Sequence, residues 1–163
     1  MELVQADLTD EASLTSAIAG ATYVMHVASP LALLENEDAY VRPAVDGTLA
    51  VCRACKANGV TRMVMTSSIA SCMKPAEADM PADGIIHEGV WSEVRTDCEG
   101  FMQWYAKSKI MAEKAAWDFH AALPEGEKFE LVTILPSYTI GPNLRAVWFA
   151  SGDWLRRLMT GEM

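Results

Sequence analysis

Arg62-Met-Val-Met-Thr-Ser-Ser68 is an apolar run of strand length that follows the helix-stopping Gly59 and ends in three hydroxyls. Two similar runs stand on either side of it. Tyr23-Val-Met-His-Val-Ala-Ser29 is closed by Pro30, and Phe129-Glu-Leu-Val-Thr-Ile-Leu135 is closed by Pro136. Helix-like segments alternate with these runs, the mark of a parallel sheet with helices on its faces. The spacing predicts helices from about Val41 to Asn58 and from about Met102 to Ala122, the latter stopped by Pro124-Glu-Gly126.

Working outward, Glu2 to Ala6 reads as a short strand. Thr9 reads as the cap of a helix whose first turn carries Asp10 and Glu11, and Gly20 ends that helix. Glu35, Glu37 and Asp38 read as loop. Residues 72–103 carry Pro75, Pro81, Gly84, Gly89 and Gly100 with little periodicity, and a loop that long in a compact domain is usually functional. A last amphipathic stretch runs from Trp148 to Met159 with Trp154, Leu155 and Leu158 on one side.

Composition narrows the function classes. The 163 residues suffice for one domain with its own core, and 51% are hydrophobic and 21% charged, ordinary for a globular protein. Acids outnumber bases 22 to 13, for a formal net charge of -9. Nucleic-acid binders neutralise phosphates with Lys and Arg, so nucleic acid and anionic membrane are poor partners for this chain. No stretch approaches the ~20 apolar residues of a membrane span. The first residues carry no basic or apolar leader pattern, which points to the cytoplasm. Cys52 and Cys55 invite a redox or zinc reading, yet they lie inside a predicted helix with no second pair at zinc spacing. With Cys72 and Cys98 they read as ordinary thiols, and His26, His87 and His120 are scattered, so no metal site is expected.

Chemistry is concentrated in two places. Tyr105 and Lys109 stand four apart on the long helix and project from one face. A tyrosine acts as a general acid or base only if its pKa falls from ~10 toward neutrality, and a nearby ammonium does this by favouring phenolate. The pair alone is weak evidence, because short motifs recur by chance. The second place is Thr66-Ser67-Ser68 at the carboxyl end of a strand, where parallel sheets bind ligands. A hydroxyl there can donate to a carbonyl oxygen as charge builds on it; the bland alternative is a strand-end serine bonding its own backbone.

Val64-Met-Thr-Ser-Ser68, Tyr105-Ala-Lys-Ser-Lys109 and Leu135-Pro-Ser-Tyr-Thr-Ile-Gly-Pro142 resemble successive signatures of the extended short-chain dehydrogenases. Asp7-Leu8, His26-Val-Ala-Ser-Pro30, Pro43-Ala-Val-Asp-Gly-Thr48 and Glu88-x-x-Trp91-Ser92 resemble the dihydroflavonol reductase and cinnamoyl-CoA reductase branch. The resemblance covers essentially the whole chain. It implies a Rossmann-like, doubly wound parallel α/β sheet over residues 1–163. It also implies NADP(H)-dependent reduction of an aldehyde or ketone to an alcohol, with NAD(H) as an alternative cofactor. Ser68 would hold the carbonyl oxygen, Tyr105 would protonate it, and Lys109 would acidify the tyrosine and bond the nicotinamide ribose. Asp7 and Leu8 would meet the adenine, and Val27, Ala28 and Ser29 would line the dinucleotide path. Thr66 and Ser67 would border the cofactor at the strand end, and Pro136 and Thr139 would flank the nicotinamide amide.

The resemblance also has departures. None of the ten glycines forms the glycine-rich turn that holds pyrophosphate in this fold. The chain is therefore expected to start at the third strand of the order 3-2-1-4-5-6 and to lack the substrate lobe. Glu2–Ala6 would then have no strand to pair with, and Tyr23–Ala28 would become an open apolar edge. Such a chain alone is expected neither to bind dinucleotide tightly nor to turn over. Met73 stands where dihydroflavonol reductases place an asparagine, which disfavours a flavonoid substrate, and Ala44 stands where many extended relatives carry one. Trp91 and His26 read more simply as packing residues, as do Trp148 and Trp154. The alternatives are a sugar-nucleotide epimerase or hydroxysteroid dehydrogenase of the same superfamily, or a non-catalytic chain that pairs with a protein partner through its edge.

Overall fold

Three parallel strands carry the architecture. The computed structural model describes residues 2–30, 35–95, 100–142 and 150–162. In chain order its elements are α1 (Glu11–Ile18), β1 (Tyr23–His26), α2 (Glu37–Ala57), β2 (Arg62–Thr66), α3 (Phe101–Ala122), β3 (Glu130–Ile134) and α4 (Ala150–Thr160). The sheet order is β1-β2-β3. Tyr23 lies beside Arg62 and Arg62 beside Glu130, so the strands run in step. Arg62 and Glu130 also form an exposed ion pair across that register.

Period-2 alternation divides the strands between two faces. Met63 and Met65 of β2 and Leu131 of β3 are buried beneath the helices. The core there is closed by Leu14 and Ile18 of α1, by Ala44, Ala50, Val51, Cys52, Ala54 and Cys55 of α2, and by Ala112 and Ala116 of α3. Small residues on α2 and α3 let the helix backbones lie close to the strands and to each other. The opposite face shows Met25 at 74% exposure and Ile134 at 49%, with Tyr23, Val27 and Val132 also exposed. A parallel sheet is normally buried on both faces; here the helices among the described residues cover one. The Rossmann-like expectation holds in this form, and β1 is an open edge as the strand order implied.

Local chemistry explains where the elements begin. Asp10, not Thr9, caps α1: its carboxylate accepts from the Ala12 and Ser13 amides at 3.1 and 3.2 Å. Thr9 instead donates to the Asp7 carboxylate at 2.7 Å, because an aspartate one residue nearer the helix outcompetes a hydroxyl. Glu2–Ala6 is not a strand but exposed, irregular backbone, since no neighbouring strand offers it ladder bonds. α2 starts four residues before the expected Val41. Asn36 caps it by accepting from Ala39 N at 3.0 Å, and Glu37 and Asp38 occupy its first turn, where acids favour the dipole. Pro43 therefore sits inside the helix and costs it one backbone bond. Asn58 ends α2 and ties it to α1, donating to Thr15 O at 3.1 Å and Ala54 O at 2.9 Å. Gly59 follows at φ +63, the left-handed turn that favours glycine. Cys98 and Trp148 lie outside the described residues.

The start of α3 is held against the start of α2. Tyr40 is fully buried, with its ring 5.8 Å from that of Phe101 and 6.2 Å from that of Trp104. Lys107 pairs with Glu37 at 2.7 Å beside them. Truncating a buried aromatic costs about 3–5 kcal/mol. Tyr40→Ala is therefore expected to lower unfolding stability by about that amount, read from the midpoint and slope of urea unfolding.

Candidate active site

The carboxyl ends of the strands point the same way, so their exit loops share one edge of the sheet. β1 leaves through Val27, Ala28 and Ser29, β2 through Ser67 and Ser68, and β3 through Leu135 and Pro136. Backbone bonds tie the last two exits together: Ser67 N donates to Ile134 O at 2.8 Å and Ile69 N to Pro136 O at 3.0 Å. Ser68 is held between those bonds. It caps the 3-10 turn Ile69–Ser71, its Oγ accepting from Ala70 N at 3.2 Å. This is the backbone role that the bland reading assigns to it. Accepting uses a lone pair and leaves the hydroxyl proton to donate elsewhere.

α3 brings its charged residue to the same end of β2. Lys109 is 5% exposed, and its Nζ donates to Thr66 O at 3.4 Å. The ammonium lies 5.9 Å from the centre of the partly buried Tyr105 ring. Burial pulls the Lys109 pKa below its usual value, and the Glu113 carboxylate opposes the fall. An ammonium has three donors, so one bond to Thr66 leaves others for a ligand.

His26 closes the β1 side. It is buried, with Nε2 3.2 Å from Thr48 Oγ1 of α2. Burial first, and the Lys109 charge second, push its pKa down to about 4. A neutral imidazole held by a threonine is a packing residue, as its sequence context suggested. Below Lys109 lies a group that sequence reading missed: Glu113 is 3% exposed and accepts from the Ser67 hydroxyl, which also meets Ser71 Oγ at 3.0 Å. The available signal was a carboxylate four residues beyond Lys109, in line with Tyr105 and Lys109 on the helix.

The other expected site residues are more dispersed. Val27 and Ala28 are exposed and Ser29 half-buried at the end of β1. Thr139 is exposed beyond β3, and its neighbour Tyr138 stacks on Trp154 at 4.4 Å. Asp7 and Leu8 serve the α1–α2 corner in this structure. The Asp7 carboxylate holds Thr9, and Leu8 packs so closely on Gly47 that an added Cβ there would come within 3.0 Å. Trp91 anchors the long loop, with Lys114 Nζ 5.1 Å over its ring. Ser71 and Ser92 strap that loop to the end of β2 through Ser92 N to Ser71 O at 2.7 Å and Lys74 N to Ser92 Oγ at 3.0 Å. Cys52 and Cys55 are fully buried, and burial pushes their thiols up to about 12 and about 11.

The 3-beta hydroxysteroid dehydrogenase/isomerase family model matches residues 1–152. The chain belongs to that family. It is 38% identical over 167 residues to tetraketide alpha-pyrone reductase 1 of Arabidopsis thaliana, covering 99% of this chain and 48% of that one. It is 34% identical to cinnamoyl-CoA reductase 1 of the same plant, covering 98% and 44%. Gre2 of Candida albicans, solved in complex with NADPH, superposes with a TM-score of 0.70 at 31% identity over 85% of this chain and 43% of that one. The chain thus spans about half the length of the curated relatives it matches.

The site residues of this family member fit one half of a dinucleotide better than the other. A donor-rich ammonium beside Thr66, with a hydroxyl two residues on, suits a ribose and a nicotinamide. Pyrophosphate calls for a glycine-rich turn at a helix N-terminus, and none of the ten glycines supplies that pattern.

The buried imidazole carries a pH signature. His26 has a lower pKa folded than unfolded, so below its ordinary value of 6.5 the unfolded chain binds the extra proton and stability falls. The loss grows from pH 6.5 down to about 4 and then levels off, reaching about 3 kcal/mol from this group. His26→Gln is expected to flatten that part of the curve relative to the parent in urea unfolding series across pH 4–7.

Proposed function

We propose that the protein carrying this chain reduces an aldehyde or ketone to an alcohol with NADP(H), using Tyr105 as general acid. The observation that carries this reading is the desolvated Lys109 ammonium, one helical turn from Tyr105 and bonded to the carbonyl two residues before Ser68. Lys109 is thereby fixed at the carboxyl end of the central strand, in the segment that continues to Ser68. The similarity to reductases, and to a Gre2 solved with NADPH, supports the cofactor and the direction.

The residues divide the work as follows. Ser68 donates a hydrogen bond to the carbonyl oxygen, stabilising the charge that builds there. Tyr105 gives its phenolic proton to that oxygen, and its phenolate is stabilised by Lys109. Lys109 also has donors for the ribose, while Thr66, Ser67, Pro136 and Thr139 border the nicotinamide. Val27, Ala28 and Ser29 line the path toward the adenine, with Asp7 and Leu8 at its far end. A bound reduced nicotinamide supplies the hydride. The organic carbonyl is a small molecule, and the bias against a flavonoid rests on Met73.

A second reading, hydroxysteroid oxidation, is favoured by the family match itself, because the same three side chains run in reverse withdraw a proton from an alcohol. Product analysis with both oxidised and reduced cofactor separates the two directions. For either, Tyr105→Phe removes the proton donor without changing the shape of the site. Turnover should fall about 10²–10⁴-fold, while cofactor affinity by fluorescence titration stays within about twofold of the parent. Near-normal turnover in this variant would remove Tyr105 from the mechanism.

A further inference from the structure

Glu113 is a carboxylate in a compartment where bare charge is costly. It is 3% exposed, and burying an unpaired carboxylate is far less favourable than placing an apolar side chain there. It shares its surroundings with Glu88, Trp91, Trp117, Leu131, Val132 and Thr133. Its side chain accepts from Ser67, which is already held through its amide to Ile134 O. Its charge acts on Lys109, one turn back on the same helix. The groups facing Lys109 are Tyr105 and Glu113 on α3, His26 at the end of β1, and the Thr66 carbonyl of β2. Burial leaves His26 neutral near pH 7. In this set Glu113 supplies the negative charge.

We propose that Glu113 is a positioning residue for the acid/base pair, balancing the Lys109 ammonium and, through Ser67, tying the end of β2 to the helix that carries Tyr105. The inference rests on the reading of Tyr105 and Lys109 given above. It adds the reason why Lys109 stays an ammonium when burial works against it. It also explains why the segment bearing Ser68 keeps its place relative to α3: the residue before Ser68 is bonded to that helix. A merely structural glutamate would need only the Ser67 bond.

The test separates those two roles. The Lys109 Cε resonance, assigned through Lys109→Arg, is titrated by NMR in the full protein and in three variants. Glu113→Gln keeps the shape and an acceptor for Ser67 but removes the charge. Glu113→Met removes both, and apolar replacements of buried charges commonly fold, so one variant or the other remains readable. Glu113→Asp keeps the charge. Losing a nearby carboxylate disfavours the ammonium, so the Lys109 midpoint should drop by about one pH unit in the Gln and Met variants. It should stay within about half a unit in the Asp variant. Turnover above the lowered midpoint should fall about tenfold in the Gln variant and recover in the Asp variant. A Lys109 midpoint that does not move in Glu113→Gln or Glu113→Met overturns the inference, as does an Asp variant that falls as far as the Gln one. The titration needs no turnover, so it stands or falls separately from the Tyr105→Phe result.

Discussion

β2 is the strand to which everything near the site is referred. It has a strand neighbour on each side, so its backbone bonds are taken up along both edges. Its carboxyl end cannot shift without disturbing both ladders. From that end Thr66 offers its carbonyl to Lys109, Ser67 bonds Glu113, and Ser68 caps the next turn. Two consecutive residues thus reach the helix, and the third caps the turn that follows.

The helix layer turns this scaffold into a chemical environment. α3 enters beside α2 through Tyr40, Phe101 and Trp104, and the same face then delivers Tyr105, Lys109 and Glu113 at successive turns. Apolar packing around them is what gives the charges their effect. In water an ammonium near a phenol interacts weakly, whereas in a low-dielectric compartment the same separation is worth several times more. Burial also works against Lys109 by favouring its neutral form. The Glu113 carboxylate opposes that shift. His26 is under the same pressure without a carboxylate and gives up its charge.

How much of this was legible in the sequence follows from the range of the forces involved. The three strands and the long helices were readable because their apolar periodicity is strong and local. Tyr105, Lys109 and Ser68 drew notice through their resemblance to a family pattern, since the Tyr–Lys spacing alone recurs by chance; the structure sets Lys109 against the end of β2. Helix starts were less readable: Asp10 displaced Thr9 and Asn36 began α2 early, choices made by competition among several good caps within a few residues. Glu2–Ala6 has strand-like residues but no partner, and pairing is decided by the rest of the sheet. Glu113 was hidden for a different reason. A glutamate on a helix is ordinarily solvated, and only the fold reveals that this one faces β2.

The two faces of the sheet differ in what they bury. On the helix-covered side, burial and hydrogen bonding bring Thr66 and Ser67 at the end of β2 together with Lys109 and Glu113 of α3. On the other side Met25, Val132 and Ile134 are apolar yet exposed, although the strands read as buried ones. The bonds at the end of β2 lie on the covered face and at the carboxyl edge, so exposure of the other face leaves them intact. The contacts that hold Lys109 and Glu113 are therefore independent of the exposed face.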